Sequence, residues 1–147
     1  PIGEGRIVAI MPEGHPLAER LAVSIHDLIR YPFIGVDPSD PYGQTLARPF
    51  DDAGLTPRHA MRGRFAQTIV SLVRHGLGVA VIDEFSVAEV YMAGLVRRPL
   101  VEPATITAWS VQKRGRQLSS FAEQTVTLFR RELGRARARE RWDQPVD

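Results

Sequence analysis

The chain contains no cysteine, which excludes disulfides and thiolate metal sites and agrees with a reducing, cytoplasmic location. No apolar run approaches membrane-spanning length, so no membrane partner is expected. The opening PIGEGRIVAIMPEG is not a secretory signal. The four histidines, His15, His26, His59 and His75, stand far apart with no i, i+4 pair and no cysteine partners, so no metal is expected; nor is a cofactor. No G-x-S-x-G elbow is present, and the serines near turns read as helix caps. His75-Gly76-Leu77-Gly78 looks like a phosphate loop, but it follows a helix and precedes a strand, whereas a dinucleotide loop needs the reverse order. Asp83-Glu84 reads as a cap with a solvated neighbour rather than as an acid–base pair. With no catalytic apparatus legible, the chain is not read as an enzyme.

With 147 residues, 44% of them hydrophobic, the chain can bury a core and fits one domain, or a domain and a fragment. The net charge of +2 is unevenly placed. Arg130, Arg131, Arg135, Arg137, Arg139 and Arg141 crowd the C-terminus, while Asp51, Asp52, Asp83 and Glu84 lie in the middle. Arg130 and Arg131 suit the last turn of a helix, and residues 135–147 read as a mobile basic tail. No aromatic interleaving marks that tail as a nucleic-acid site.

The organising stretch is Arg64–Asp83, RFAQTIVSLVRHGLGVAVID. Phe65, Ile69, Leu72 and Val73 recur at i, i+4, i+7 and i+8, the stripe of a one-sided buried helix. Gly76 suits the left-handed position after its end. Val79–Ile82 then reads as a strand covered on both faces. With a short strand at Arg58–Arg62 this makes a strand–helix–strand unit, expected to be parallel through a right-handed crossover.

Elsewhere, Arg6–Met11 reads as a buried strand stopped by Pro12 and Gly14, and Ser24–Ile29 as a short helix with Asp27 answering the Ser24 cap. Tyr31–Val36 is a strand. Asp40 followed by Pro41 starts a helix that presents Leu46, Phe50 and Ala53 to the core and ends at Gly54; either Pro49 kinks it, the favoured reading, or a turn at Asp40–Ala47 precedes a separate short helix from Arg48. Phe85–Ala93 is a helix closed by Gly94. Leu95–Leu100 and Thr105–Val111 are strands. Ser119 or Ser120 caps a last helix, with Phe121, Thr125, Leu128, Phe129 and Leu133 on one face and Gly134 beyond its end. In open parallel sheets, ligands sit beyond the carboxyl ends of the strands. Three helix starts there could hold an anion: Ser39–Thr45, Arg64–Thr68 and Asp83–Ser86.

Five stretches then carry a resemblance: VAIMPEGHPLA, SIHDLIRYPFIGV, DDAGLTP, TIVSLVRHGLGVAVID and LVRRPLVEP. In this order and spacing they resemble the effector-binding domain of LysR-type transcriptional regulators, over nearly the whole chain up to about Leu133. The resemblance implies an α/β fold of the type 2 periplasmic-binding-protein kind, with two subdomains, two crossover strands and a small-molecule inducer between them. Residues 1–15 would be crossover strand and hinge, 16–100 the second subdomain, and 101–134 the return strand and closing helix of the first. Pro12 and Pro103 would mark the hinge. The N-terminal helix-turn-helix, through which alone DNA would be bound, would be missing, as would the opening of the first subdomain.

On this reading the partners are a small-molecule effector and further copies of the chain. The effector contacts are expected at Ser39, Asp40, Tyr42, Gln44, Thr45, Arg64, Phe65, Gln67, Thr68 and Asp83. Asp83 stands where many members of the family have proline, which is similar to a branch responding to amino acids and opines. Asp83 would then face an ammonium or guanidinium, or else simply cap the next helix. The alternative is a solute-binding receptor or a binding-protein-like enzyme of the same fold.

Overall fold

The structure, a computed structural model, describes residues 1–87, 93–115 and 117–139. Its axis is strand β1 (Gly3–Pro12), longer than the apolar run that announces it. Ile7 to Met11 are all buried because β1 has neighbours on both edges. It pairs antiparallel with β4 (Ala80–Asp83), from Ile7–Asp83 to Ile10–Ala80. It also pairs antiparallel with β5 (Leu95–Pro99), from Val8–Pro99 to Pro12–Leu95. Its first residues leave that sheet and pair with β6 (Thr105–Ala108), ending at Arg6–Thr105. The strand therefore changes partner between Arg6 and Ile7.

Strands β2 (Phe33–Val36) and β3 (His59–Gly63) pair in parallel. β2 also meets β4 in parallel at Phe33–Val79, where the Ile34 N–H donates to the Val79 carbonyl at 2.8 Å. The strands thus run β3-β2-β4-β1-β5. This corrects the expected wholly parallel sheet: β2 lies between β3 and β4, and β1 runs antiparallel to them. The reason is burial. All four residues of β4 are buried, so it needs a partner on each edge, and the long crossover strand supplies the second.

Helix α2 (Pro41–Asp52) starts at Asp40, whose side chain accepts from the Tyr42 N–H, and runs unbroken through Pro49. It buries Leu46 and Phe50, whereas Ala53 is exposed at its C-cap. Helix α3 (Ala66–Arg74) buries Ile69, Val70 and Val73, each worth about 1.5–3 kcal/mol. Phe65 is not part of its apolar stripe; it sits at the N-cap, 68% exposed. Of the expected 85–93 helix, the described part is a 3-10 turn at Glu84–Val87, and residues 88–92 lie outside the described residues.

Helix α1 (Ile25–Leu28) is capped by Ser24 as expected, but Asp27 does not complete the box. Asp27 pairs with Arg20 at 2.5 Å instead. Glu102 accepts from the Ser24 hydroxyl at 2.6 Å and the Ile25 N–H at 3.0 Å, so the carboxylate serving this helix comes from a distant loop. Burial alone would raise the Glu102 pKa, but these hydrogen bonds outweigh it and hold the carboxyl below its ordinary value. The sign follows: Glu102 contributes stability above the ordinary carboxylate range, and this is lost as pH falls through its lowered pKa. Glu102→Gln should flatten that acid limb in a pH series of melting curves. An unchanged limb would assign it to other carboxylates.

The last helix, α4 (Ser120–Arg139), begins after Ser119, whose hydroxyl accepts from the Ala122 N–H. It does not stop at Gly134 but continues to Arg139, so the first residues of the expected tail are helical; 140–147 lie outside the described residues. β6 likewise ends at Ala108, three residues before the expected Val111. Phe121, Leu128 and Phe129 of α4 are 78%, 56% and 57% exposed. No helix among the described residues is long and apolar enough to cross a membrane.

Candidate functional site

Because β2, β3 and β4 run the same way, their carboxyl ends, Val36, Gly63 and Asp83, open toward one end of the subdomain. Two helices and the 3-10 turn start there. The Asp37 N–H donates to the Gly63 carbonyl at 3.2 Å, which joins the segment entering α2 to the one entering α3. Gly43 makes the first of these possible: a methyl group there would lie 2.2 Å from the Asp37 carbonyl oxygen.

At the centre is Asp83, 5% exposed. One oxygen accepts from the Ser86 N–H at 2.9 Å, and the other from the Ser86 hydroxyl at 2.7 Å and from the Tyr42 hydroxyl. Asp83 is thus the cap of the 3-10 turn and, through Tyr42, its bolt to the start of α2. Burial, then the Asp83 charge and hydrogen bond, push the Tyr42 phenol far above its ordinary pKa, so it remains a neutral donor. Ser86 closes the Asp83–Ser86 start expected to suit an anion, but it is not one of the expected effector contacts. The D-x-x-S spacing from Asp83 was the available signal, since it places a hydroxyl and an amide within reach of a capping carboxylate.

The start of α3 differs. Phe65 is its N-cap residue and makes no side-chain cap hydrogen bond, so this helix start lacks the acidic cap that α2 carries, and in its first turn the Thr68 N–H donates to the Phe65 carbonyl. Arg64, Phe65, Gln67 and Thr68 are all exposed there. The Ser39 N–H, then the Ser39 hydroxyl, hold the Asp37 carboxyl below its ordinary pKa, and the Arg62 and Arg64 guanidiniums add to this. Arg64 itself is exposed and stands two residues before α3, directly after the carboxyl end of β3.

The remaining expected contacts are turned elsewhere. The Gln44 side chain donates to the Pro38 carbonyl and lines a groove of about 300 Å³ between α2 and β3, with Phe33, Phe50, His59 and Arg62. That groove includes neither Tyr42, Asp83 nor any of residues 64–68, so it is not the strand-end site. The Thr45 hydroxyl donates to the Pro41 carbonyl, and Thr45 faces the other flank of α2, toward Pro103 and Arg48. Pro103 directly precedes Ala104, whose carbonyl accepts from the Ile7 N–H where β1 changes partner. Pro12 pairs with Leu95 at the opposite end of β1. Among the described residues, no group of three or more His, Cys, Asp or Glu could hold a metal ion.

The family model described as LysR substrate binding domain matches residues 1–134. The chain is 35% identical over 96 residues to the HTH-type transcriptional regulator TtuA of Agrobacterium vitis, covering 64% of this chain and 31% of that protein. Among solved structures it is similar to HinK, a LysR family transcriptional regulator from Pseudomonas aeruginosa. The TM-score there is 0.71 at 28% identity, over 90% of this chain and 47% of HinK. It shares a fold with the effector binding domain of QuiR in complex with shikimate, at TM-score 0.63 and 16% identity, over 92% of this chain and 64% of that one. The chain spans less than half the length of TtuA or HinK.

Proposed function

The chain belongs to the LysR substrate-binding domain family, and on that premise we propose that it is the inducer-sensing part of a longer transcriptional regulator, taking a small carboxylate-bearing molecule at the strand ends. The carrying observation is the uncapped start of α3 beside Arg64, a helix end that lacks an anion where α2 already has one. QuiR, whose domain shares the fold, is seen with shikimate. In this reading residues 16–100, joined by the second half of β1, are the second subdomain, 101–134 return to the first, and the regulator acts in the cytoplasm.

An amino acid or opine-like compound is the finer proposal. Its ammonium would reach Asp83 by displacing the Tyr42 hydroxyl, since that carboxylate is otherwise fully engaged. Calorimetry against amino acids and against plain aromatic carboxylates tests both levels. Arg64→Glu should weaken any binding carboxylate by about ten-fold or more; unchanged affinity would remove the anion site from α3. Asp83→Asn should weaken amino acids alone, and equal binding by both proteins would leave Asp83 a purely structural group.

DNA recognition is proposed to lie outside this chain. Residues 1–147 should bind duplex DNA weakly, with binding lost at moderate salt, as for a few arginine–phosphate contacts. Salt-resistant, sequence-selective binding in fluorescence anisotropy would overturn this. The exposed Phe121, Leu128 and Phe129 form an apolar face of the sort that drives association. The chain should therefore sediment as an oligomer at high concentration and shift toward monomer in Phe129→Glu. A monomeric wild type would contradict it.

A further inference from the structure

The 3-10 turn at Glu84–Val87 has a second attachment, on the side away from Tyr42. β4 ends at Asp83, which pairs with Ile7. The next residue along β1, Arg6, therefore has no β4 residue opposite it, and its N–H donates to Glu84 Oε1 at 2.7 Å. A side-chain carboxylate does here what a further strand residue would do. It does so at the point where β1 exchanges the sheet for β6.

Two observations show that this contact is close. A methyl group on Gly5 would stand 2.5 Å from the Phe85 ring and 3.0 Å from Glu84 Oε1, so the turn rests directly on the strand backbone. Glu84 is 4% exposed, and its Oε2 accepts no hydrogen bond; the Arg6 Nε lies 3.8 Å away. Glu84 thus meets Arg6 twice, at its backbone N–H and, as an ion pair, at its guanidinium.

We propose that Glu84 is a positioning residue that couples the strand-end cleft to the hinge, by clamping β1 at Arg6 from the same turn that Asp83 and Ser86 bolt to Tyr42. The inference rests on the effector-sensing reading for its biological meaning. Asp83 and Glu84 are adjacent, so a molecule that disturbs the Tyr42–Asp83 bond must either strain the turn or move it. Moving the turn alters the hold on Arg6. The turn is then the two-sided element that linkage between a cleft and a hinge requires.

The coupling can be tested without any effector, by amide hydrogen exchange followed by NMR on the 147-residue chain. Glu84→Ala should speed exchange of the Arg6 amide on the order of ten-fold or more. Tyr42→Phe removes no bond to Arg6 or Glu84, yet should speed the same amide by roughly three-fold or more. The Ile34 amide, bonded to Val79, should stay within error. Ser86→Ala, which removes the Ser86 hydroxyl from Asp83 and no bond to Arg6 or Glu84, should act in the same direction. An Arg6 amide unmoved by Tyr42→Phe and Ser86→Ala, or moved no more than Ile34, would overturn the proposal. Failure to find a ligand would overturn the effector reading and leave this result standing.

Discussion

Asp83→Ala is expected to cost about 3 kcal/mol of stability and to lower the melting midpoint by roughly 6–12 °C. Asp83 is buried and accepts three hydrogen bonds, two from Ser86 and one from Tyr42. Truncation uncaps the 3-10 turn and strands a largely buried phenol without its acceptor. Asp83→Asn keeps a capping oxygen and should cost about 1 kcal/mol. Urea denaturation of the three proteins orders them, and an alanine variant within error of wild type would mean that the turn is held by other contacts. The pH dependence has a definite sign. Folded Tyr42 binds its proton more tightly than the unfolded chain, because burial and the Asp83 charge raise its pKa. Its contribution is therefore complete below the ordinary phenol pKa of about 10 and is lost as pH rises above that value. Tyr42→Phe should lack this alkaline decline.

Gly78→Ala should be at least as damaging, at about 3 kcal/mol or more. Gly78 has φ +156°, and a methyl group there would lie 2.3 Å from the Pro32 carbonyl oxygen. Both clashing parts are backbone, and the Pro32 carbonyl is bonded to the Val79 N–H, so neither can swing aside. Gly76 is a useful contrast. It has φ +75° with open space around it, so Gly76→Ala should cost only about 1 kcal/mol, the penalty of a left-handed alanine. Chemical denaturation of both variants should place Gly78 well below Gly76. Equal costs would mean that the close approach of β4 to Pro32 relaxes freely.

Local structure was legible in the residues wherever one segment's own chemistry decides it. Asp40-Pro41 starts α2, Gly76 ends α3, Ser24 caps α1, and Val79–Ile82 is buried throughout, because capping, left-handed glycine and unbroken apolar runs act over a few residues. Five ordered stretches also sufficed to indicate the family. Only the tertiary structure decided what depends on partners far along the chain. Asp27 has the spacing of a cap partner, yet Glu102 holds that position from a remote loop. Phe65 has the spacing of a core residue but falls one position before its helix. Asp83 and Glu84 read as a cap beside a solvated acid. Asp83 does cap, but Glu84 is buried against the backbone of Arg6, because β1 runs on past the end of β4 and leaves an amide to be satisfied. Helix caps and periodicity are short-range and written in neighbouring residues. Which carboxylate meets which distant amide is set only when β1 threads between β4 and β5 and brings residues 6 and 84 together.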